Sequence, residues 1–222
     1  MIKFVLPVAA LLAAGSAQAL TWTSVNGAPD PGPGANQQTF VDFETPVDTT
    51  GFTLTGNYAL ASGTTGSYAA PAGDASTYLY VSSALAGNNA TLTAPAGLKS
   101  IGFYWGSVDT YNSVDVLGTR GGVATTLYTL AGSSLPLSNG DQQSPLSNQR
   151  VTFVAGRGEA ITGLRFVSTG VAYEIDNVAG TLLGNGSASA VPEPAAWALL
   201  LVGFGVVGAT ARRRRMAPQV SA

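Results

Sequence analysis

The chain contains neither cysteine nor histidine. The first absence excludes disulfides, thiolate nucleophiles and zinc–thiolate clusters. The second excludes a Ser-His-Asp triad, imidazole metal ligands and the ordinary proton shuttle of neutral pH. Charge is scarce too, at 10% of residues, against roughly a quarter in typical globular chains. Ser, Thr, Asn, Gln and Gly supply the polar surface instead, a mix that suits strands and turns better than exposed helices. No nucleophile elbow, phosphate-binding loop or dinucleotide turn is present. Residues 20–190 carry 5 cations against 11 acids, a net of −6. That field repels phosphate, so nucleic acid is not an expected partner.

What is present begins with two terminal addresses. MIKFVLPVAALLAAGSAQA opens the chain: Lys3 is a short positive region, Phe4 to Ala14 an apolar run, and Ala17-Gln18-Ala19 a small-x-small cleavage signature. This pattern predicts a secretory signal helix over 1–19, cut by signal peptidase between Ala19 and Leu20. At the other end, Ala195 to Ala211 is 17 residues without a charge, followed at once by Arg212, Arg213, Arg214 and Arg215. That length suffices for a short transmembrane helix. The arginines hold their end in the cytoplasm, with 216–222 as a cytoplasmic tail and residues 20–190 outside.

Just before the span stand Pro192, Glu193 and Pro194, then Ala195-Ala196-Trp197-Ala198. The prolines keep the approach to the helix extended and remove backbone donors. Motif, apolar helix and arginine cluster in this order resemble the PEP-CTERM sorting signal, in its PEP-x-x-W-A form, over 191–215. The resemblance implies recognition by an exosortase, a membrane protease that processes such tails. It also implies a Gram-negative producer of exopolysaccharide, a transient membrane anchor, and a mature form at the cell surface or in the extracellular biofilm matrix.

Between the addresses, Leu20 to Gln38 reads as a Pro/Gly-rich leader and residues 184–190 as a flexible linker. One domain over 39–183 remains. Strand-like runs recur at 39–44, 76–82, 89–94, 98–105, 112–118, 124–130, 149–155, 161–168 and 172–183, with Gly, Asn and Asp between them. In QRVTFV, Val151 and Phe153 alternate with Thr152 and Val154. In LRFVS, Leu164 and Phe166 alternate with Arg165 and Val167. Period-two patterning of this kind predicts an all-β fold, an antiparallel sandwich of jelly-roll-like form.

Two constellations are candidates for function. GFYWGSVDTYNSVDV (102–116) sets aromatic faces beside short polar groups, the combination that grips sugar C–H patches and hydroxyls. Trp105, Asp109, Tyr111 and Asn112 are its carbohydrate-binding candidates; the plain structural alternative is that Tyr104 or Trp105 fills the core while Asp109 and Asn112 cap a tight turn. The segment is similar to one found in a group of exosortase-dependent surface proteins. The second constellation pairs DFETP (42–46) with AYEIDNVAG (172–180). The late Y-x-I-D-N-V stretch resembles the last strand of jelly-roll carbohydrate-binding modules. This resemblance implies a structural calcium between first and last strands, held by Glu44 and Asp176, with Asp42 and Glu174 as alternates. Such a hard cation needs 6–8 oxygen ligands.

The expected protein is non-catalytic and associated with exopolysaccharide. One alternative is a carbohydrate-active enzyme working through Glu44, Glu159 or Glu174, the only glutamates in the domain. Another is a structural protein that self-associates through exposed strand edges.

Overall fold

A computed structural model describes residues 19–184 and residues 203–204. Ala17, the PEP motif with Trp197 and Ala198, and the arginine cluster lie outside the described residues. So do the signal helix and the 195–211 span, apart from Gly203 and Phe204, which are helical. Among the described residues no helix is long and apolar enough to cross a membrane.

The described domain is antiparallel β-sheet throughout. Its strands are β1 (Thr21–Asn26), β2 (Gln38–Val41), β3 (Thr53–Gly56), β4 (Ala59–Ala61), β5 (Tyr78–Val81), β6 (Asn89–Gly106), β7 (Asn112–Arg120), β8 (Val123–Ala131), β9 (Gln149–Val154), β10 (Glu159–Ser168) and β11 (Tyr173–Leu182). The runs expected at 89–94 and 98–105 are a single strand. Pro95, which has no N–H for a ladder, sits between them. The pairing of β6 with β10 slips there, from Thr93↔Gly163 to Leu98↔Ile161.

This irregularity lets β6 serve two layers, as strands that bend at sheet corners do. Its first half pairs with β3 and β10, and β10 continues to β7 and β8. Its second half pairs with β11 and β9. From there the layer runs through β11 to β5 and β4, and through β9 to β1. β2 also lies on β11, so the early and late strands are neighbours.

The alternating residues face inward as their spacing requires. Ile101, Phe103 and Trp105 of β6 meet Phe166 of β10, Val114 and Val116 of β7, and Val151 and Phe153 of β9 in one buried cluster. Phe103 and Phe166 meet edge-to-face, with ring centroids 5.2 Å apart. Each such ring contributes about 1.5–3 kcal/mol by leaving water.

The outer face of β6 is covered as well, and part of the Pro/Gly-rich leader read at 20–38 belongs to this cover. Thr21–Asn26 is an edge strand, and Leu20 packs into the core. The Trp22 indole N–H donates to the Tyr128 hydroxyl at 3.0 Å, tying β1 to β8 of the opposite layer. The Tyr104 hydroxyl lies 2.8 Å from both the Gly27 and Ala72 carbonyls. Asp30 pairs with buried Arg150 at 2.7 Å. The domain therefore begins near residue 20, because a polar, Pro-rich segment can still pair and pack where its partners are distant in sequence.

Candidate functional site

On the outer side of the second layer, Glu174 of β11 stands directly opposite Gly106 of β6. Gly106 has no side chain, and Pro71 closes over it: a Cβ there would lie 2.9 Å from the Pro71 ring. The loop carrying Pro71 thus roofs the Glu174 carboxylate, which is only 2% exposed. Its Oε1 accepts the Ala69 N–H at 2.9 Å, and its Oε2 accepts the Ser107 hydroxyl at 3.3 Å. Asn148 holds this arrangement, its Oδ1 accepting from both Ala72 N and Ser107 N at 2.9 and 3.0 Å.

The turn from β6 to β7 brings Asp109 to the same place. Asp109 Oδ2 accepts from the Tyr111 hydroxyl at 2.7 Å, and that hydroxyl also lies 2.7 Å from the Val171 carbonyl. Gly140 presses on the other oxygen, where a Cβ would come within 2.4 Å of Asp109 Oδ1. Between these walls lies a cleft of about 170 Å³, lined by Thr65, Ser67, Tyr68, Asp109, Gln142 and Glu174 among others. Its chemistry is hydroxyl, amide and carboxylate.

Burial pushes the Glu174 carboxyl up to about 7, helped by the Asp109 charge and opposed by the Ala69 and Ser107 donors. Burial also raises Asp109, while the Tyr111 hydrogen bond opposes that rise. Near neutrality the cleft therefore holds one carboxyl that exchanges its proton beside another, among donors and acceptors suited to sugar hydroxyls.

The four carbohydrate-binding candidates separate. Asp109 and Tyr111 line the cleft. Trp105 does not: it is wholly buried and stacks on Tyr173 with centroids 4.5 Å apart, so no ligand reaches its face. Asn112 is buried as well, its amide donating to the Ala172 carbonyl at 3.0 Å. Period-two alternation places Trp105 inward with Phe103, and that outweighs its aromatic chemistry. Ser107, one of the short polar groups of the 102–116 segment, lines the cleft too, whereas Tyr68, Thr65 and Gln142 were not anticipated, because nothing local marks loops that fold over strands distant in sequence.

The expected calcium ligands meet a shared turn instead of each other. Glu44 Oε1 accepts the Thr77 N–H. Asp176, fully buried, accepts the Ser76 hydroxyl at 3.0 Å on one oxygen and the Asn177 N–H at 2.7 Å on the other. Asp42 caps its own turn through Glu44 N and Thr45 N. Burial, with Asp74 alongside, raises the Asp176 carboxyl to about 8. Among the described residues no group of three or more acidic side chains is placed to hold a metal. Glu44 Oε1 and both Asp176 oxygens thus accept from protein donors of residues 76, 77 and 177. Glu159 is likewise committed, to Arg120 Nε at 2.9 Å and Gly156 N at 2.8 Å.

Residues 190–215 match the family described as the PEP-CTERM protein-sorting motif. No curated protein and no solved structure matches the chain.

Proposed function

We propose, from the premise that this chain carries the PEP-CTERM sorting motif of exosortase-dependent proteins, that it delivers a polysaccharide-contacting β domain to the cell exterior. The motif implies export, a membrane-anchored precursor and processing by an exosortase to a surface form. In our reading the domain is a jelly-roll-like module, supported by the neighbouring positions of β2 and β11. It has a non-catalytic role in an exopolysaccharide matrix. The observation that carries the contact is the Glu174–Asp109 cleft, a small polar cavity whose donors and acceptors match sugar hydroxyls.

The full-length protein, incubated with the producer's own polymer, is expected to be retained, and Glu174→Ala is expected to reduce retention. Equal retention of native and denatured protein would remove the reading. Deleting residues 190–215 tests delivery separately: the protein should then fail to undergo C-terminal processing at the membrane.

A second reading has one specific observation in its favour. Glu174, buried and raised to about 7 beside Asp109, has the character of a general acid next to a second carboxylate, the pair that glycoside hydrolysis uses. Release of reducing ends from the polymer that disappears in Glu174→Gln would establish it. Glu44 and Glu159 are not part of this reading, since neither lines the cleft.

A further inference from the structure

We propose that a trough on the outer face of the β1–β9–β6 layer binds a linear anionic glycan through its sugar carboxylates. The inference rests on the reading that the domain contacts extracellular polymer, and adds a second surface and the charge class of the chain it takes.

Two adjoining depressions share Lys99 and Val154. The larger, about 550 Å³, lies between the strands and a strap formed by residues 31–35, with Thr23, Thr152 and Gln37 in its lining. The smaller, about 340 Å³, ends at Gly156 and Arg157. Arg150, Lys99 and Arg157 line this trough, three of the five cations in residues 20–190, and among the described residues no Asp or Glu does. Away from the trough, Arg120 pairs with Glu159 at 2.9 Å and Arg165 with Asp115 at 2.5 Å. In a domain of net −6, two exposed cations, Lys99 and Arg157, thus share one concave surface.

The three cations differ in exposure. Arg150 is 3% exposed and committed to Asp30, so it shapes the floor. Lys99 is exposed, and its ammonium donates to the Ala155 carbonyl without a carboxylate partner among the described residues. An ammonium carries three donors, so Lys99 can still receive an anion. Arg157 stands exposed at the far end.

The lining selects among anionic partners. Among the described residues no aromatic side chain lines the trough, so they offer no platform on which nucleic-acid bases stack. It is concave and partly overhung by the strap, which suits a narrow linear chain and not a flat lipid surface. Its hydroxyls and amide beside the cations match alternating sugar hydroxyls and carboxylates, as in a uronic-acid polymer.

The test uses the full-length chain on immobilised polygalacturonate, on neutral dextran, and on vesicles containing phosphatidylglycerol. Retention on polygalacturonate and not on dextran is expected, falling as salt is raised. The Lys99→Gln/Arg157→Gln variant should bind polygalacturonate roughly tenfold more weakly, the loss of two exposed ion pairs. Lys99→Arg should bind as the parent does. If the double variant does not reproduce the parent's unfolding midpoint, Lys99→Gln alone serves, with a smaller loss. Parental binding by the folded Gln variants, equal binding to dextran, or preference for the vesicles would each overturn the trough. Retention on the producer's polymer that depends on Glu174, without binding to polygalacturonate, would overturn the trough alone. No retention on the producer's polymer would overturn the proposed function itself.

Discussion

Glu174 and Gly106 face one another across the β6–β11 ladder, and the missing side chain of Gly106 is what lets Pro71 roof the Glu174 carboxylate. A methyl group at 106 would meet the Pro71 ring at 2.9 Å. Gly106→Ala is expected to destabilise the domain by about 1–3 kcal/mol, the usual cost of overpacking. It should also let water reach Glu174 and return its carboxyl toward the ordinary range. Denaturant unfolding and carboxyl titration by NMR check both effects.

The stability of the domain should fall as pH rises from about 4 to about 8. Glu174 and Asp176 are raised to about 7 and about 8 in the folded state, against roughly 4 for free carboxyls. Within that window the unfolded chain has released protons that the folded chain retains, so each pH step favours unfolding. The contribution is complete below pH 4 and lost once both groups ionise. Thermal midpoints across this range should decline, and the Glu174→Gln/Asp176→Asn double variant should flatten the slope.

Trp105 and Tyr111 stand six residues apart as sugar candidates, yet they differ in kind. Trp105→Ala should cost about 3–5 kcal/mol, as expected for emptying a core site. Tyr111→Phe removes a hydroxyl shared with Asp109 and Val171. It should cost only about 0.5–1.5 kcal/mol, while reducing retention on the producer's polymer. Urea midpoints and pull-downs on both variants separate a packing residue from a contact residue.

Asp30 fastens the segment after β1 to Arg150. Arg150→Ala leaves a largely desolvated carboxylate without its cation, at a cost of about 3–5 kcal/mol. Protease nicking within residues 27–37 should accelerate in this variant before the rest of the domain yields, as followed by mass spectrometry of the fragments.

Much of the β architecture was legible because its inward residues keep strict alternation, as Val151/Phe153 and Leu164/Phe166 do. β1 was not, because Thr21–Asn26 has little apolar character and adjoins a Pro/Gly run, so its strand identity comes from pairing with β9. β3 and β4 are four and three residues long, too short to carry a period. The unity of β6 was hidden by Pro95, which marks a bend where a break was expected. Of the candidate site, Asp109 and Tyr111 were visible through their local company. Their joining with Glu174, Ser107 and Tyr68 depends on loops that converge only in the folded chain.

The strand nearest the sorting segment is also among the most firmly held. β11 is bound by β6 along one side and by β5 and β2 along the other. Its last residue, Leu182, precedes the tail by a few positions. A pull applied along β11 would load these ladders in shear, so many hydrogen bonds would have to break together instead of unzipping in turn.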